Sequence, residues 1–287
     1  MVRILSVDIH CDHVSELGEG PLWDYRTATM YWIDIKGCHL HSMVAGTHDL
    51  MQMPSQIGTV ALDLHGHLIV GLEDGVYRLS VAGALELLYS LDRKHDQVRC
   101  NDGKVDPFGK LVQGTMADPP DADSGSLMRF GGPGNGEVLI APTLISNGMD
   151  WTDDQDFMWY IDTLTHSVRG YAYADGEPLG EPVRTHMIPK RFGAPDGMTL
   201  DADGFLWIAL WGGYGVIRMR PDGAIDAFVE VPAANVTACA FAGSDLDQLV
   251  ITSASKPASE GEHLPHAGKT FVADVATTGR RANQFVG

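Results

Sequence analysis

Apolar and polar positions alternate along this chain in short runs, without the long 3.6-residue stripes and caps of amphipathic helices. One unit recurs: two or three apolar residues, an acidic or turn residue, a short gap, then a second apolar run. It reads GPLWDYRTATMYWIDI from Gly20, VALDLHGHLIVGL from Val60 and KVDPFGKLVQGTM from Lys104. It returns as MDWTDDQDFMWYIDT from Met149, MTLDADGFLWIAL from Met198 and CAFAGSDLDQLVITSA from Cys239. The residues opening each tight turn, taken as Asp24, Asp63, Asp106, Asp153, Asp201 and Gly243, recur about every 40–50 residues, the period of propeller blades. The runs are rich in Val, Ile, Leu, Trp and Tyr and are broken by HG, DG, GG, NG and PDG, which is strand and turn chemistry. In the fifth copy DGMTLDA, GFLWIALW, GVIRMRP and AIDAFVEV separate as four strands. The pattern predicts an all-β fold, a six-bladed β-propeller of four-stranded blades forming a single domain over residues 1–287. A ring of blades must close or leave unpaired strand edges. The sixth copy offers only VTACAFA, QLVITSA and KTFVADV, so the N-terminal VRILSVDI is expected to supply the outer strand of the last blade.

Composition narrows the function. A hydrophobic content of 44% excludes global disorder. With 38 acidic against 20 basic residues, the net charge of −18 repels phosphate backbones and anionic lipid, which argues against nucleic-acid and membrane partners. Neutral molecules and cations fit better. The four cysteines are scattered without a CxxC pair, MVRILSVDIHCDH is too short for a signal h-region, and no stretch approaches the roughly 20 apolar residues of a membrane span. The expectation is a soluble, cytoplasmic protein, a monomer or weak homodimer.

One register position carries candidate chemistry. Five residues before the markers stand Glu19, Gly58, Asn101, Gly148, Asp196 and Ala238, and one extra residue in the fourth copy brings Asn147 into line. Singly, each polar residue also reads as a turn residue, since Asn-Gly and Asp-Gly abound in hairpins. Two carboxylates and two amides at matched offsets instead make a hard, oxygen-rich site for one divalent cation, Ca²⁺, Mg²⁺, Mn²⁺, Fe²⁺ or Zn²⁺.

LGEGPLWD, RCNDGKVDPFGKLVQGTM, ISNGMDWT, YIDT and APDGMTLDADGFLWIALW, in this order, resemble the SMP-30/gluconolactonase/regucalcin family over nearly the whole chain. The resemblance implies a propeller whose axial divalent cation supports hydrolysis of sugar lactones, with a glucono-, xylono-, arabino- or galactonolactone as substrate. It implies Glu19, Asn147 and Asp196 as the metal ligands, and Arg99 and Asn101 as substrate contacts, which reduces the protein ligands to three. A further acidic substrate contact of some relatives, shortly after GTM, has no Glu here; Asp118 stands nearest, and sugar preference stays open. Asp196 is the candidate general base for the attacking water. Two alternatives are an organophosphate or aryl-ester hydrolase on the same cation and a calcium-binding regulatory protein without turnover. Neither GxSxG nor HExxH occurs. The pairs His39/His41 and His65/His67 read as exposed strand histidines, Cys100 as a core filler, Trp207 and Trp211 as packing, and residues 118–126 as a solvated loop or a lid.

Overall fold

The computed structural model of the chain describes residues 2–91, 98–120, 124–132, 134, 136–257 and 264–287. Six antiparallel sheets follow one another around a central axis as the blades of a β-propeller. Blade 1 runs outward as Gly18–Asp24, Thr29–Asp34, His39–Val44 and Thr47–Gln52. Blade 2 is Thr59–Asp63, Leu68–Gly71, Gly75–Leu79 and Leu85–Ser90, and blade 3 is Val98–Val105, Leu111–Ala117, Gly125–Phe130 and Glu137–Thr143. Blade 4 is Ser146–Trp151, Phe157–Asp162, Ser167–Ala172 and Arg184–Met187. Blade 5 is Ala194–Leu200, Leu206–Trp211, Gly215–Met219 and Ile225–Glu230, which are the four strands read from the fifth repeat. Blade 6 is Asn235–Ala242, Gln248–Ala254 and Thr270–Asp274, completed by Asp8–Cys11. Among the described residues the helical pieces are two single 3₁₀ turns, and no helix is long and apolar enough to cross a membrane.

Closure is thus made by the N-terminal strand, and the pairing refines the expectation. Only Asp8–Cys11 joins blade 6, antiparallel to Thr270–Asp274. Arg3–Leu5, upstream of it, pairs parallel with Ile225–Glu230, a fifth strand on blade 5. Burial separates the two segments: Cys11 is buried in the apolar layer of the seam, whereas Ile4 stays exposed.

The core is six separate apolar layers, one between each pair of neighbouring blades. The layer between blades 5 and 6 holds Trp207, Val236, Phe241, Leu249 and Phe271; that between blades 4 and 5 holds Trp159, Ile161, Leu206 and Ile208. The layer at the closing seam is the smallest, Cys11, Met30, Trp32, Met43, Ala242 and Val250. Trp207 is packing as expected, its indole N–H donating to Asp201 Oδ2 at 2.9 Å. Cys100 is buried too, with its thiol pushed up to about 12 by burial.

Four of the turn-opening aspartates have a structural role. Asp106 Oδ1 accepts the backbone N–H groups of Phe108 and Lys110, and Asp201 Oδ1 those of Asp203 and Phe205, which folds the first hairpin of each blade. Asp24 and Asp63 take a backbone N–H in the same way and also pair with Arg26 and Arg78. In blade 4 the marker moves. Thr152 opens the hairpin, donating its N–H and its hydroxyl to the Phe157 carbonyl, and Asp153 lies one residue later in the turn. The extra residue of the fourth repeat is this shift.

The histidine expectation is corrected. His41 is fully buried, because the face carrying Trp32, His41 and Met43 turns toward blade 6 and not toward water. His39 is half-buried and His65 exposed. Of the 118–126 segment, residues 121–123 lie outside the described residues, and Gly125 already begins the third strand of blade 3.

Candidate active site

Every innermost strand except that of blade 2 reaches the axis with its pairing interrupted at one place. The register of the first hairpin shifts between Glu19 and Leu22 in blade 1, Cys100 and Gly103 in blade 3, Ser146 and Met149 in blade 4, and Pro195 and Met198 in blade 5. A bulge bends the strand and re-aims the side chain it carries. The residues at these bulges are Glu19, Asn101, Asn147 and Asp196. Gly18 pairs with Asp34 as Ser146 pairs with Asp162, so Glu19 and Asn147 occupy matching positions.

The glycines that follow do different work from the turn role their sequence implies. Only Gly20 has a left-handed backbone, φ +51°. Gly148 and Gly197 are close-approach positions. A Cβ on Gly148 would stand 2.6 Å from the Asp196 carbonyl oxygen and 2.7 Å from the Met198 nitrogen; one on Gly197 would stand 2.6 Å from Ala238 Cβ. Neighbouring inner strands therefore touch backbone to backbone just below the polar residues.

The structure brings Asn147 and Asp196 into direct contact. Asn147 Nδ2 donates to Asp196 Oδ1 and to Thr163 Oγ1, the latter at 3.0 Å. Asn147 Oδ1, the acceptor end of the amide, is buried with no hydrogen-bond partner. Glu19 lies close enough to Asp196 to feel its charge. Burial, then the charges of Asp196 and Asp102, raise the Glu19 carboxyl well above its ordinary range. Burial, then Asp102, do the same to Asp196. Two buried carboxylates that resist ionisation and one orphaned amide oxygen form a donor set lacking a positive charge. The residues fit a divalent cation with oxygen ligands.

Asn101 is placed differently. Its Oδ1 accepts from Arg99 Nη1 at 2.8 Å and its Nδ2 donates to the Ser146 carbonyl at 2.9 Å, so both ends of the amide are engaged. Asn101 thus has its amide oxygen engaged, where Asn147 has its own left without a partner. Arg99 is buried, with Nη1 also donating to the Cys100 carbonyl at 2.8 Å and Nη2 contacting Met116 Sδ at 3.4 Å. Its Nε makes no hydrogen bond and stands 3.8 Å from Asp118 Oδ2. Asp118 pairs with Lys36 as well. Burial works to raise the Asp118 carboxyl, but Lys36 and Arg99 outweigh it and hold it below its ordinary value.

Residues that sequence reasoning missed complete the site. Asp102, next to Asn101, is pushed up to about 6, chiefly by burial. Thr163 holds the Asn147 amide, and its signal was the T of YIDT. Asp34 and Asp162, the acids of WIDI and YIDT, pin the entry loops. Asp34 accepts from the Glu16 and Leu17 N–H groups, and Asp162 from those of Leu144 and Ile145, each at 2.8–3.0 Å. Each loop delivers the next inner strand residue, Glu19 or Asn147, to the axis. Lys36 carried no signal.

The SMP-30/Gluconolactonase/LRE-like family model matches residues 17–255, and the chain belongs to this family. Among its relatives is a 6-deoxy-6-sulfogluconolactonase of Pseudomonas putida, 32% identical over 95% of this chain and 96% of that protein. A pentonolactonase of Haloferax volcanii is 34% identical, over 96% of this chain and 94% of its own. In three dimensions the chain is similar to a calcium-binding protein, regucalcin, from Agrobacterium tumefaciens, with a TM-score of 0.90, 25% identity and 99% of both chains covered.

Proposed function

We propose that the chain hydrolyses a sugar lactone to the aldonic acid, with a divalent cation held by Glu19, Asn147 and Asp196. One observation carries this: a buried, unpartnered Asn147 Oδ1 beside two buried carboxylates whose ionised forms are disfavoured. Lactonase relatives over nearly the full chain supply the substrate class.

When bound, the cation supplies Lewis-acid polarisation of the lactone carbonyl and charge for the developing oxyanion. Asp196, ionised once the cation is bound, removes a proton from the attacking water as its oxygen bonds to the carbonyl carbon; the ring C–O bond then breaks and the leaving oxygen takes that proton from Asp196, which returns to the carboxylate. Asn147 orients Asp196 through the amide N–H it donates, and Thr163 in turn holds that amide. Glu19 acts as a ligand alone. The Arg99 Nε–H, which makes no hydrogen bond, stands 3.8 Å from Asp118 Oδ2, and Asp118 with Lys36 forms a charged rim beside it. A sugar hydroxyl entering here donates to Asp118 and accepts from Arg99 or Lys36, which binds polyhydroxylated substrates over apolar esters. Asn101 fixes the Arg99 guanidinium.

The test is a pH-indicator assay on chelated protein reconstituted with Ca²⁺, Mg²⁺, Mn²⁺, Fe²⁺ or Zn²⁺, over glucono-, xylono-, arabino- and galactonolactone, an aryl ester and a phosphotriester. Acid release from lactones that requires an added ion supports the proposal. Turnover of the esters alone, or none with any ion, overturns it.

A further inference from the structure

The closing seam between blades 6 and 1 holds an imidazole cluster that the axial site does not use. His39 and His41 stand two residues apart on one face of the third strand of blade 1. Asp34 is the direct cross-strand partner of His39, and Trp32 that of His41. One ligand atom from each of Asp34, His39 and His41 lies within 4.8 Å of the others. His41 is fully buried and stacks on Trp32, with ring centroids 5.0 Å apart. Its Nδ1 lies 3.0 Å from His48 Nε2, and its Nε2 is buried without any partner. His13, from the segment that follows the closing strand, covers the cluster at 4.8 Å from the His41 ring.

From this arrangement we infer a second metal site, in which Asp34, His39 and His41 bind a borderline divalent ion of the Zn²⁺, Co²⁺ or Ni²⁺ class. The donor set, two imidazoles and one carboxylate, is the type such ions take in preference to Ca²⁺ or Mg²⁺. The His48 contact supplies what a metal-bound imidazole needs. With the His41 Nδ1–H donating to His48 Nε2, the His41 Nε2 keeps a free lone pair and the ring is fixed. A tetrahedral ion with bonds of about 2.0–2.2 Å sets its ligand atoms roughly 3.4 Å apart. The half-buried His39 ring closes the remaining gap by rotating.

Loop pinning alone does not account for the imidazoles. Asp162 of blade 4 performs the same pin as Asp34, yet the residues matching His39 and His41 there are Ser167 and Arg169. Nor does packing explain a fully buried ring with an empty nitrogen, since such a group costs on the order of 1–3 kcal/mol when left unsatisfied. The seam is also where the apolar layer is smallest. A bound ion there ties the third strand of blade 1 to Asp34 at the end of the second, and through the hydrogen bonds of Asp34 to the loop that enters the first.

Co²⁺ is the probe, because imidazole-bound tetrahedral Co²⁺ has strong visible bands and an oxygen-only site does not. Full-length chelated protein carrying Asp196→Asn, to weaken the axial site, is titrated with Co²⁺ and its metal content measured after desalting. The expected result is one Co²⁺ per chain with tetrahedral bands. His41→Gln and His39→Gln each weaken it at least tenfold, and His48→Gln weakens it about tenfold through the lost orienting contact. His39→Gln is the safeguard, since a half-buried side chain is replaced without opening the core. Absence of the bands, or bands that persist in both His39→Gln and His41→Gln, overturns the site whatever the lactone assay shows.

Discussion

Gly148→Ala tests whether backbone contact between blades 4 and 5 sets the axial geometry. The added Cβ would meet the Asp196 carbonyl at 2.6 Å, the Met198 nitrogen at 2.7 Å and the Gly197 carbonyl carbon at 3.0 Å, all of them backbone atoms unable to rotate away. Ordinary contact begins near 3.4 Å, so the two inner strands must part by roughly half to one ångström in an interior packed like a crystal. Overpacking of this kind costs about 1–3 kcal/mol. The same displacement separates Asn147 from Asp196, which now share a hydrogen bond. Misplacement by about 1 Å at a reacting centre costs on the order of 10²-fold in rate. The control is Gly180→Ala, where a Cβ meets nothing within 4 Å and φ is not left-handed; reduced entropy of the unfolded chain makes it neutral or slightly stabilising. Urea unfolding of both chelated variants and lactone kinetics with saturating cation are the assays. If Gly148→Ala unfolds with the midpoint of Gly180→Ala and keeps native kcat, the inner-strand contact does not position the site.

Asp196→Asn, with cation bound, should lose about 10²–10⁴-fold in kcat by the usual contribution of a general base, and retention of most activity would assign the proton elsewhere. Arg99→Ala should raise KM more than it lowers kcat, which steady-state kinetics separates. Deleting residues 1–5 should change Tm little, whereas deleting 1–11 removes the outer strand of blade 6 and Cys11 from the seam; Tm should fall by well over the roughly 2–4 °C that 1 kcal/mol is worth in a chain of this size. Asp150 is paired with Lys104 at 3.1 Å and Arg280 at 3.4 Å, and although burial raises its carboxyl, these cations hold it below the ordinary value. A depressed carboxyl contributes stability above the unfolded value near 4 and loses it as pH falls through the folded value. Asp150→Asn, which loses charge-assisted hydrogen bonds to partly exposed cations, should therefore cost about 1–3 kcal/mol at pH 7, with the gap to the native chain closing only below about pH 4 in urea titrations.

Much of the fold was legible because a blade is a local object. The hairpins of GPLWDYRTATMYWIDI and MTLDADGFLWIALW carry their turns in the sequence, where Asp24 and Asp201 accept backbone N–H groups two residues on. The matched offset of Glu19, Asn101 and Asp196 was visible for the same reason, since bulge and turn lie on one strand. Blade 4 misled because Thr152 replaces the expected aspartate as turn opener. What sequence left hidden depends on contacts between distant segments. Lys36 reaches Asp118 across the rim from blade 1. The burial of His41 depends on which face of blade 1 meets blade 6, and alternation along a strand does not say which face is wet. The parallel pairing of Arg3–Leu5 with blade 5 follows from where the chain passes before closing the ring, and the run VRILSVDI carries both strands without a visible break.

The contrast among the six equivalent positions shows why polar side chains stand at some of them and not at all six. In blade 2 the position is Gly58, where a Cβ would lie 2.2 Å from the Cys100 carbonyl oxygen and 2.9 Å from the Asn101 nitrogen. No side chain fits there, and the hairpin of this blade pairs without a bulge. Blade 6 keeps the bulge, between Val236 and Cys239, but its Ala238 methyl is packed against Gly197. Blade 3 keeps the bulge and a polar residue, yet Asn101 spends its amide tying Arg99 to the Ser146 carbonyl. Donors are left on one arc, in blades 1, 4 and 5, and the opposite arc is occupied by backbone contact and by Arg99. In the proposed site, three protein donors would leave coordination positions for water and substrate, the condition a catalytic cation requires and a closed structural site lacks.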